Sequence, residues 1–287
     1  MSRGTYSDIL KFLSLFKNKG LLETRLYYQL KEDLLSGKPD LLQVFAPYEL
    51  SLLSEAGNIS HLSDLFNKVE QCGLSLIKSY LNPFFDEETL IEAHQWANKC
   101  TLSKKIDSDS RNYVYGEVEY EAFQAIMEIA LTGMKKDRLV KFVDLGSGLG
   151  KACFWTALTT SFSQILGIEI IDRLLLKSKY IYDKIQRDFR KRDMPDTIMR
   201  SVTLVAGNFL EDQHRVTWID ADVILANSTC FTEDLMDKIA KMSTAMRKGA
   251  RFISFTYPLK SDEWKILYKQ QLAMSWGPAT VFIQERQ

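Results

Sequence analysis

The sequence predicts an α/β fold with a mainly parallel sheet, preceded by a small all-helical domain. After residue 113, short apolar runs alternate with amphipathic helical stretches, an order typical of parallel strands joined by crossover helices. Before about residue 100, apolar residues recur at helical spacing and no strand-like alternation is found. The 287 residues are 46% hydrophobic and 26% charged, which is typical of a globular chain with one large or two modest domains.

Residues 1–102 are predicted to form the helical domain. Apolar side chains three and four residues apart run from Ile9 to Phe16, and the pattern returns from Leu62 to Val69. Asp86 is predicted to cap a further helix that runs through Trp96. Residues 103–112 are polar and lack periodicity, so they predict a linker, and the α/β domain is predicted over residues 113–287.

Seven strands are predicted in the α/β domain, five of them as continuous apolar runs. These runs are Leu139–Leu145, Gln164–Glu169, Val202–Gly207, Ala221–Asn227 and Arg251–Phe255. The last two strands, Gln271–Trp276 and Ala279–Gln284, are predicted to pair as a hairpin around Gly277-Pro278. The expected architecture is therefore a seven-stranded sheet with helices on both faces.

Charge and composition exclude several classes of protein. Lys+Arg and Asp+Glu both number 37, so binding of nucleic acid or a nucleosome gets no support from the net charge of zero. A basic cluster at residues 184–192 is interleaved with aspartates, which favours a solvated helix face. No signal peptide or membrane-length apolar stretch is found, which predicts a cytoplasmic protein, with the nucleus as the alternative. The four cysteines form no CxxC pair, so no metal site is expected.

The strongest local signal is the segment Phe142–Lys151, where an apolar strand runs into three glycines at alternate positions. Glycine lets a ligand approach the backbone closely. A dinucleotide-binding loop needs its third glycine where this chain has Lys151, so the spacing does not fit NAD. Asp144 stands directly ahead of the loop, and this D-x-G-x-G-x-G form resembles motif I of class I S-adenosylmethionine (SAM) methyltransferases, which have a Rossmann-like fold.

An acidic residue at the end of the second predicted strand supports this interpretation. Glu169 lies nineteen residues beyond Gly150. A carboxylate at this position can accept hydrogen bonds from both ribose hydroxyls of a nucleoside. SAM has no pyrophosphate, but its ammonium suits an acidic residue such as Asp144.

Residues 113–287 resemble one branch of that superfamily, the catalytic domain of the Dot1 histone-lysine methyltransferases. Five ordered segments carry the resemblance. They are Tyr113–Val118 (the Y-G-E loop), residues 142–150 (F-V-D-L-G-S-G-x-G), Ala206–Leu210 (G-D-F-L), Asn227–Phe231 (N-N-x-x-F) and Met274–Ile283 (the closing S-W hairpin).

The resemblance implies that SAM is the cofactor and that the acceptor is a protein, through a lysine side-chain amine. The implied cofactor-binding residues are Tyr115, Gly116, Glu117, Asp144, Gly146, Ser147, Gly148, Gly150, Glu169, Asn208, Phe209 and Asn227. Asn227 is expected beside the transferring methyl group, and Phe231 and Tyr257 are expected to wall a channel for the incoming amine. No membrane partner is expected.

The chain departs from the family pattern at two positions. Asn208 stands where the family usually has Asp, and Asn227-Ser228 replaces the usual double Asn. Two alternatives stay open at this point. One is a nucleic-acid or small-molecule methyltransferase on the same fold, although Asn227–Phe231 lacks the prolines of amino-methylating DNA enzymes. The other is a non-catalytic SAM-binding adaptor, against which the intact Asp144, glycines and Glu169 argue.

Overall fold

One seven-stranded sheet organises the second part of the chain. Its strands are β1 (Lys141–Leu145), β2 (Gln164–Glu169), β3 (Val202–Ala206), β4 (Val223–Ala226), β5 (Arg251–Phe255), β6 (Trp264–Met274) and β7 (Gly277–Arg286). Their order is β3-β2-β1-β4-β5-β7-β6, with β1 to β5 parallel and β7 antiparallel to both β5 and β6. The predicted seven-stranded α/β fold is confirmed.

The computed structural model describes Leu74 and residues 77–102, 114–134, 140–160, 162–191, 202–274 and 277–287. The chain divides into two compact units, residues 1–83 and 84–287. Of the first unit, residues 77–81 are helical. The helices predicted from Ile9 to Val69 and the linker predicted at 103–112 lie outside the described residues, so the domain boundaries stay predictions.

The central strands read as continuous apolar runs because they are buried on both faces. All residues of β4 and of β5 are buried. β1 lies between β2 and β4, so the strand order reverses beside β1. In open α/β sheets, ligands bind outside the carboxyl ends of the strands at such a reversal point. The fold therefore places a site at the ends of β1, β2 and β4.

Six described helices accompany the sheet. They are α1 (Glu87–Leu102), α2 (Tyr120–Leu131), α3 (Lys151–Thr159), α4 (Asp172–Lys191), α5 (Asp212–Trp218) and α6 (Glu233–Ser243). Asp86 caps α1 as predicted, since its Oδ1 accepts from the backbone N–H of Thr89 at 2.9 Å, and the helix continues past Trp96. In the part of the chain that is described, no helix has the length and apolar character to span a membrane.

The final hairpin is longer than the sequence predicts. β6 begins at Trp264 instead of Gln271, and Trp264 pairs with Arg286 of β7. The first half of β6 carries lysine and glutamine side chains and leaves Ile266 and Leu267 more than 40% exposed, so it lacks a clear apolar alternation. Its strand conformation depends on pairing with β7, which a local pattern does not reveal.

Candidate functional site

A cavity of about 360 Å³ lies at the carboxyl ends of β1, β2 and β4 and is covered by residues 114–119, here called the lid loop. Its volume is in the usual range for small-molecule sites. The predicted site residues that line it are Tyr115, Gly116, Glu117, Asp144, Gly146, Ser147, Gly148, Glu169, Asn208, Phe209, Asn227 and Phe231. Gly150 and Tyr257 do not belong to this lining. The structure thus brings nearly all predicted residues around one cavity.

The turn from β1 into α3 has a backbone that only glycine adopts readily. Gly148 has φ +55°, and a Cβ added to it would lie 2.9 Å from Cε2 of Tyr115. Gly150 has φ +83°, and its Cβ would lie 3.0 Å from the Phe154 ring on α3. Gly148 therefore allows the lid loop to approach the turn, whereas Gly150 allows the Phe154 ring of α3 to pack against the turn.

Glu169 connects the end of β2 to the glycine turn. Its Oε2 accepts from the backbone N–H of Gly148 at 2.7 Å, and its Oε1 accepts from that of Ile171 at 2.8 Å. Burial raises the pKa of Glu169, while these N–H groups oppose that rise. A carboxylate has about four lone-pair sites, so these bonds leave it able to accept from a ribose hydroxyl as predicted.

Asp144 is a buried carboxylate, and none of the described lysines or arginines forms an ion pair with it. Its Oδ2 lies 4.0 Å from Sγ of Cys153. Burial, and secondarily the charge of Glu169, raises the pKa of Asp144 to about 8. A buried carboxylate without a cation is costly, so this position favours a positively charged ligand group. Nearby, the buried Oγ of Ser147 has no hydrogen-bond partner among the described residues.

The lid loop is joined to α3 by an ion pair that sequence reasoning missed. Glu117 accepts a hydrogen bond from the Tyr115 hydroxyl, and its Oε2 lies 3.3 Å from Nζ of Lys151. Burial raises the pKa of Glu117, and the Lys151 charge and the Tyr115 hydrogen bond lower it. The same Nζ lies 4.3 Å from the centroid of the Tyr120 ring on α2. The signal available in the sequence was Lys151, which stands where a dinucleotide-binding loop has its third glycine.

Asn227 joins the lid loop to the sheet. Its Nδ2 donates to the carbonyl oxygen of Gly116 at 2.7 Å. Asn227 follows β4 directly, so the bond holds the loop over the carboxyl edge of the sheet. The next residue, Ser228, has its Oγ 2.8 Å from both the N and the O of Phe255. Serine in place of the family's second asparagine therefore connects the ends of β4 and β5.

Two aromatic rings form an apolar wall of the cavity. The centroids of Phe209 and Phe231 lie 6.1 Å apart with the rings tilted by 31°. Beside them, the Oδ1 of Asn208 accepts from the backbone N–H of Leu210 at 3.0 Å, and its other lone pair stays open for an adenine amino group. The structure places Phe231 with Phe209, the residue predicted to contact adenine.

The structure leaves Tyr257 outside the cavity lining. The amine channel predicted between Phe231 and Tyr257 stays a prediction, and the Tyr257 side chain is 53% exposed. The reason is a tight turn after β5, in which Thr256 has φ +69° and the Tyr257 N–H bonds the Phe255 carbonyl at 2.8 Å. A loop conformation of this kind is not evident from residue type.

The class I fold of SAM-dependent methyltransferases is defined by three features described above: the order of the strands, the glycine turn after β1, and the acidic residues at the strand ends. Within that class, the chain belongs to the DOT1 family. The sequence profile described as "Histone methylation protein DOT1" matches residues 102–273.

Curated relatives agree with this family. The chain is similar to "Histone-lysine N-methyltransferase, H3 lysine-79 specific" of Drosophila melanogaster, at 27% identity over 209 residues, covering 67% of this chain and 11% of that protein. The protein of the same description from Emericella nidulans is 28% identical over 162 residues, covering 54% of this chain and 30% of its own. Among solved structures, TrmN from Thermus thermophilus has a TM-score of 0.45 and 13% identity, covering 58% of this chain and 48% of its own.

Proposed function

We propose that this protein transfers a methyl group from SAM to the side-chain amine of a lysine in a protein. The observation that carries the proposal is the buried Asp144 beside Glu169 at the strand ends of a DOT1-family chain. When bound, SAM supplies a methyl group that is already activated on a sulfonium. The protein therefore has mainly to bind, orient and desolvate the reactants.

The cavity residues fit SAM by their chemistry. Asp144 offers a buried negative charge for the ammonium, and Glu169 retains acceptor capacity for the ribose hydroxyls. Phe209 and Phe231 offer apolar faces to the adenine. The Gly148 turn admits the close approach that a Cβ would block.

The acceptor end of the reaction needs a neutral amine. An apolar, water-poor setting lowers the pKa of a lysine because it disfavours the charged form, so no dedicated base is required. The lid loop, held by Asn227 and by the Glu117–Lys151 pair, covers the cavity and would exclude water from it.

The first experiment combines binding and transfer. Calorimetry with SAM and its demethylated product is expected to show binding to the protein. Radiolabelled SAM is then incubated with nucleosomes, with free histone H3 and with a cell lysate, and mass spectrometry locates the label. The two relatives named above are specific for lysine 79 of H3, so that histone is the first acceptor to test. Label on a protein lysine supports the proposal.

Each contrary result favours one of the alternatives. Label confined to RNA, DNA or a small molecule would replace the protein acceptor with the corresponding class. SAM binding without label in any fraction would favour the adaptor. An Asp144→Ala variant serves as the negative control for transfer.

The cytoplasmic or nuclear location stays a prediction, to be tested by fluorescence of a tagged full chain.

A further inference from the structure

The lid loop is also contacted by α1, through a pair of aromatic rings. The ring of His94 on α1 meets the ring of Tyr115 at a centroid distance of 5.2 Å, with an angle of 87° between the two planes. This edge-to-face arrangement is a favourable geometry for two aromatic rings. His94 is an exposed residue of the helix, whereas Tyr115 is only 9% exposed. The contact therefore joins the surface of α1 to a buried residue of the lid loop.

α1 is itself fixed to two helices of the α/β domain. Its Ala93 is fully buried. Glu92 pairs with Lys177 of α4, and the distance from Oε2 to Nζ is 3.2 Å. Just ahead of α1, the centroid of the Phe85 ring lies 6.4 Å from that of Phe154 on α3. Because α1 is held by α3 and α4, its contact with the lid loop is a contact with the body of the domain.

The Tyr115 ring lies between this helix contact and the cavity. A Cβ added to Gly148 would lie 2.9 Å from Cε2 of Tyr115, so the ring also lies against the glycine turn. Tyr115 lines the cavity that the lid loop covers. Movement of the loop away from the cavity would separate the Tyr115 ring from His94. The ring pair therefore opposes opening of the loop.

Most of α1 precedes the part of the chain that the family profile describes. Of the residues Glu87–Leu102, only the last falls within the matched residues 102–273. The profile match therefore assigns no role to His94. His94 does not line the cavity either, so any effect on a bound ligand passes through the lid loop.

We propose that His94 is a positioning residue for the lid loop. Its ring holds Tyr115 and, through Tyr115, keeps the loop closed over a bound ligand. The inference rests on the proposed function for the identity of that ligand, which is SAM or its demethylated product. α1 thereby becomes a working part of the site, although it supplies no group to the ligand.

The first measurement is the rate at which ligand leaves the full chain. Radiolabelled SAM is bound and then chased with an excess of the unlabelled product, and the label that stays on the protein is followed in time. An edge-to-face pair contributes enough stability that His94→Ala should release the label about two- to tenfold faster. His94→Phe retains an aromatic ring and should release it within about twofold of the parental rate. Alanine has the highest helix propensity, so the first variant preserves α1.

Two controls show whether His94 acts through Tyr115. Gln95→Ala changes the neighbouring exposed residue of α1 and should release SAM at the parental rate. In a Tyr115→Leu background the partner ring is absent, so adding His94→Ala should change the rate by less than about twofold. An equal acceleration in both backgrounds would overturn the proposal, because His94 would then act by another route. Thermal melts establish that each variant is folded.

Hydrogen exchange in the ligand-free chain gives a readout that does not depend on SAM. Exchange in peptides that cover residues 114–119 reports how often the lid loop opens. His94→Ala is expected to speed this exchange, and His94→Phe and Gln95→Ala are expected to leave it unchanged. Parental exchange in His94→Ala would overturn the proposal while leaving the proposed function standing. A parent that binds neither SAM nor its product would overturn the proposed function, and exchange alone would then decide whether His94 holds the loop.

Discussion

Replacing Asp144 by asparagine should stabilise the protein at neutral pH and abolish its affinity for SAM. Asparagine has nearly the shape of the protonated aspartic acid but does not ionise. In the parent, burial raises the pKa of Asp144 to about 8, from an ordinary value of 3.8. At any pH between these two pKa values, Asp144 is protonated in the folded protein and ionised in the unfolded chain. The stability of the parent therefore falls as the pH rises through this window.

The magnitude follows from the two pKa values. One pH unit in the window changes the free energy of unfolding by about 1.4 kcal/mol. Between pH 5 and pH 7.5 the parent should lose about 3 kcal/mol from this group alone. Glu169 and the neutral thiol of Cys153 are present in both proteins, so their contributions largely cancel in the difference between variant and parent.

Urea unfolding at half-unit steps from pH 5 to pH 8 measures this difference. The stability advantage of Asp144→Asn is expected to increase steadily across the range. An advantage that stays constant to within about 1 kcal/mol would show that Asp144 does not titrate as its burial requires. Asp220→Asn is the matched control, because that side chain is 62% exposed and should give no such trend.

The same ionisation should appear in ligand binding. A cationic ligand pairs with the charged form of Asp144, which is the minor form below pH 8. The affinity of the parent for SAM is therefore expected to rise by up to about tenfold per pH unit between pH 6 and pH 8. An asparagine variant that bound SAM with parental affinity and pH dependence would refute the assignment of the ammonium to Asp144.

Three further substitutions test the rest of the site. Gly148→Val should abolish binding of the demethylated product in calorimetry, because its Cβ would lie 2.9 Å from the Tyr115 ring; parental affinity would contradict the site. Asn227→Ala removes the donor to the Gly116 carbonyl, so turnover should fall about 100-fold with little change in melting temperature, and a parental rate would exclude this role. Glu169→Gln turns an amide N–H₂ toward a backbone N–H, and urea unfolding should show a loss of about 1–3 kcal/mol; unchanged stability would refute the importance of these bonds.

The residues that the sequence identified share a local origin. Asp144, Glu169 and Asn227 each lie at or next to the end of an apolar run, and parallel strands bring such ends to one edge of a sheet. The predicted ends of parallel strands were therefore enough to place them together. The cap at Asp86 was likewise predictable, because its bond to Thr89 spans only three residues.

The residues that were missed depend on packing between distant segments. Lys151 belongs to the site because α2 and the lid loop bring Tyr120 and Glu117 to the start of α3. No pattern within one segment contains that information. Tyr257 lies outside the cavity lining for a local reason, since a tight turn after β5 leaves its ring exposed.

Three contacts hold the lid loop from three directions, and this arrangement couples ligand binding to loop position. Gly116 is bonded by Asn227 at the end of β4, Glu117 is paired with Lys151 on α3, and Tyr115 lies against the Gly148 turn after β1. All three of these anchors, Asn227, Lys151 and Gly148, also line the cavity. A ligand that engages them therefore acts on the elements that hold the loop. The burial of Asp144 then works in the same direction, because a cationic ligand that enters beneath the loop favours its charged form.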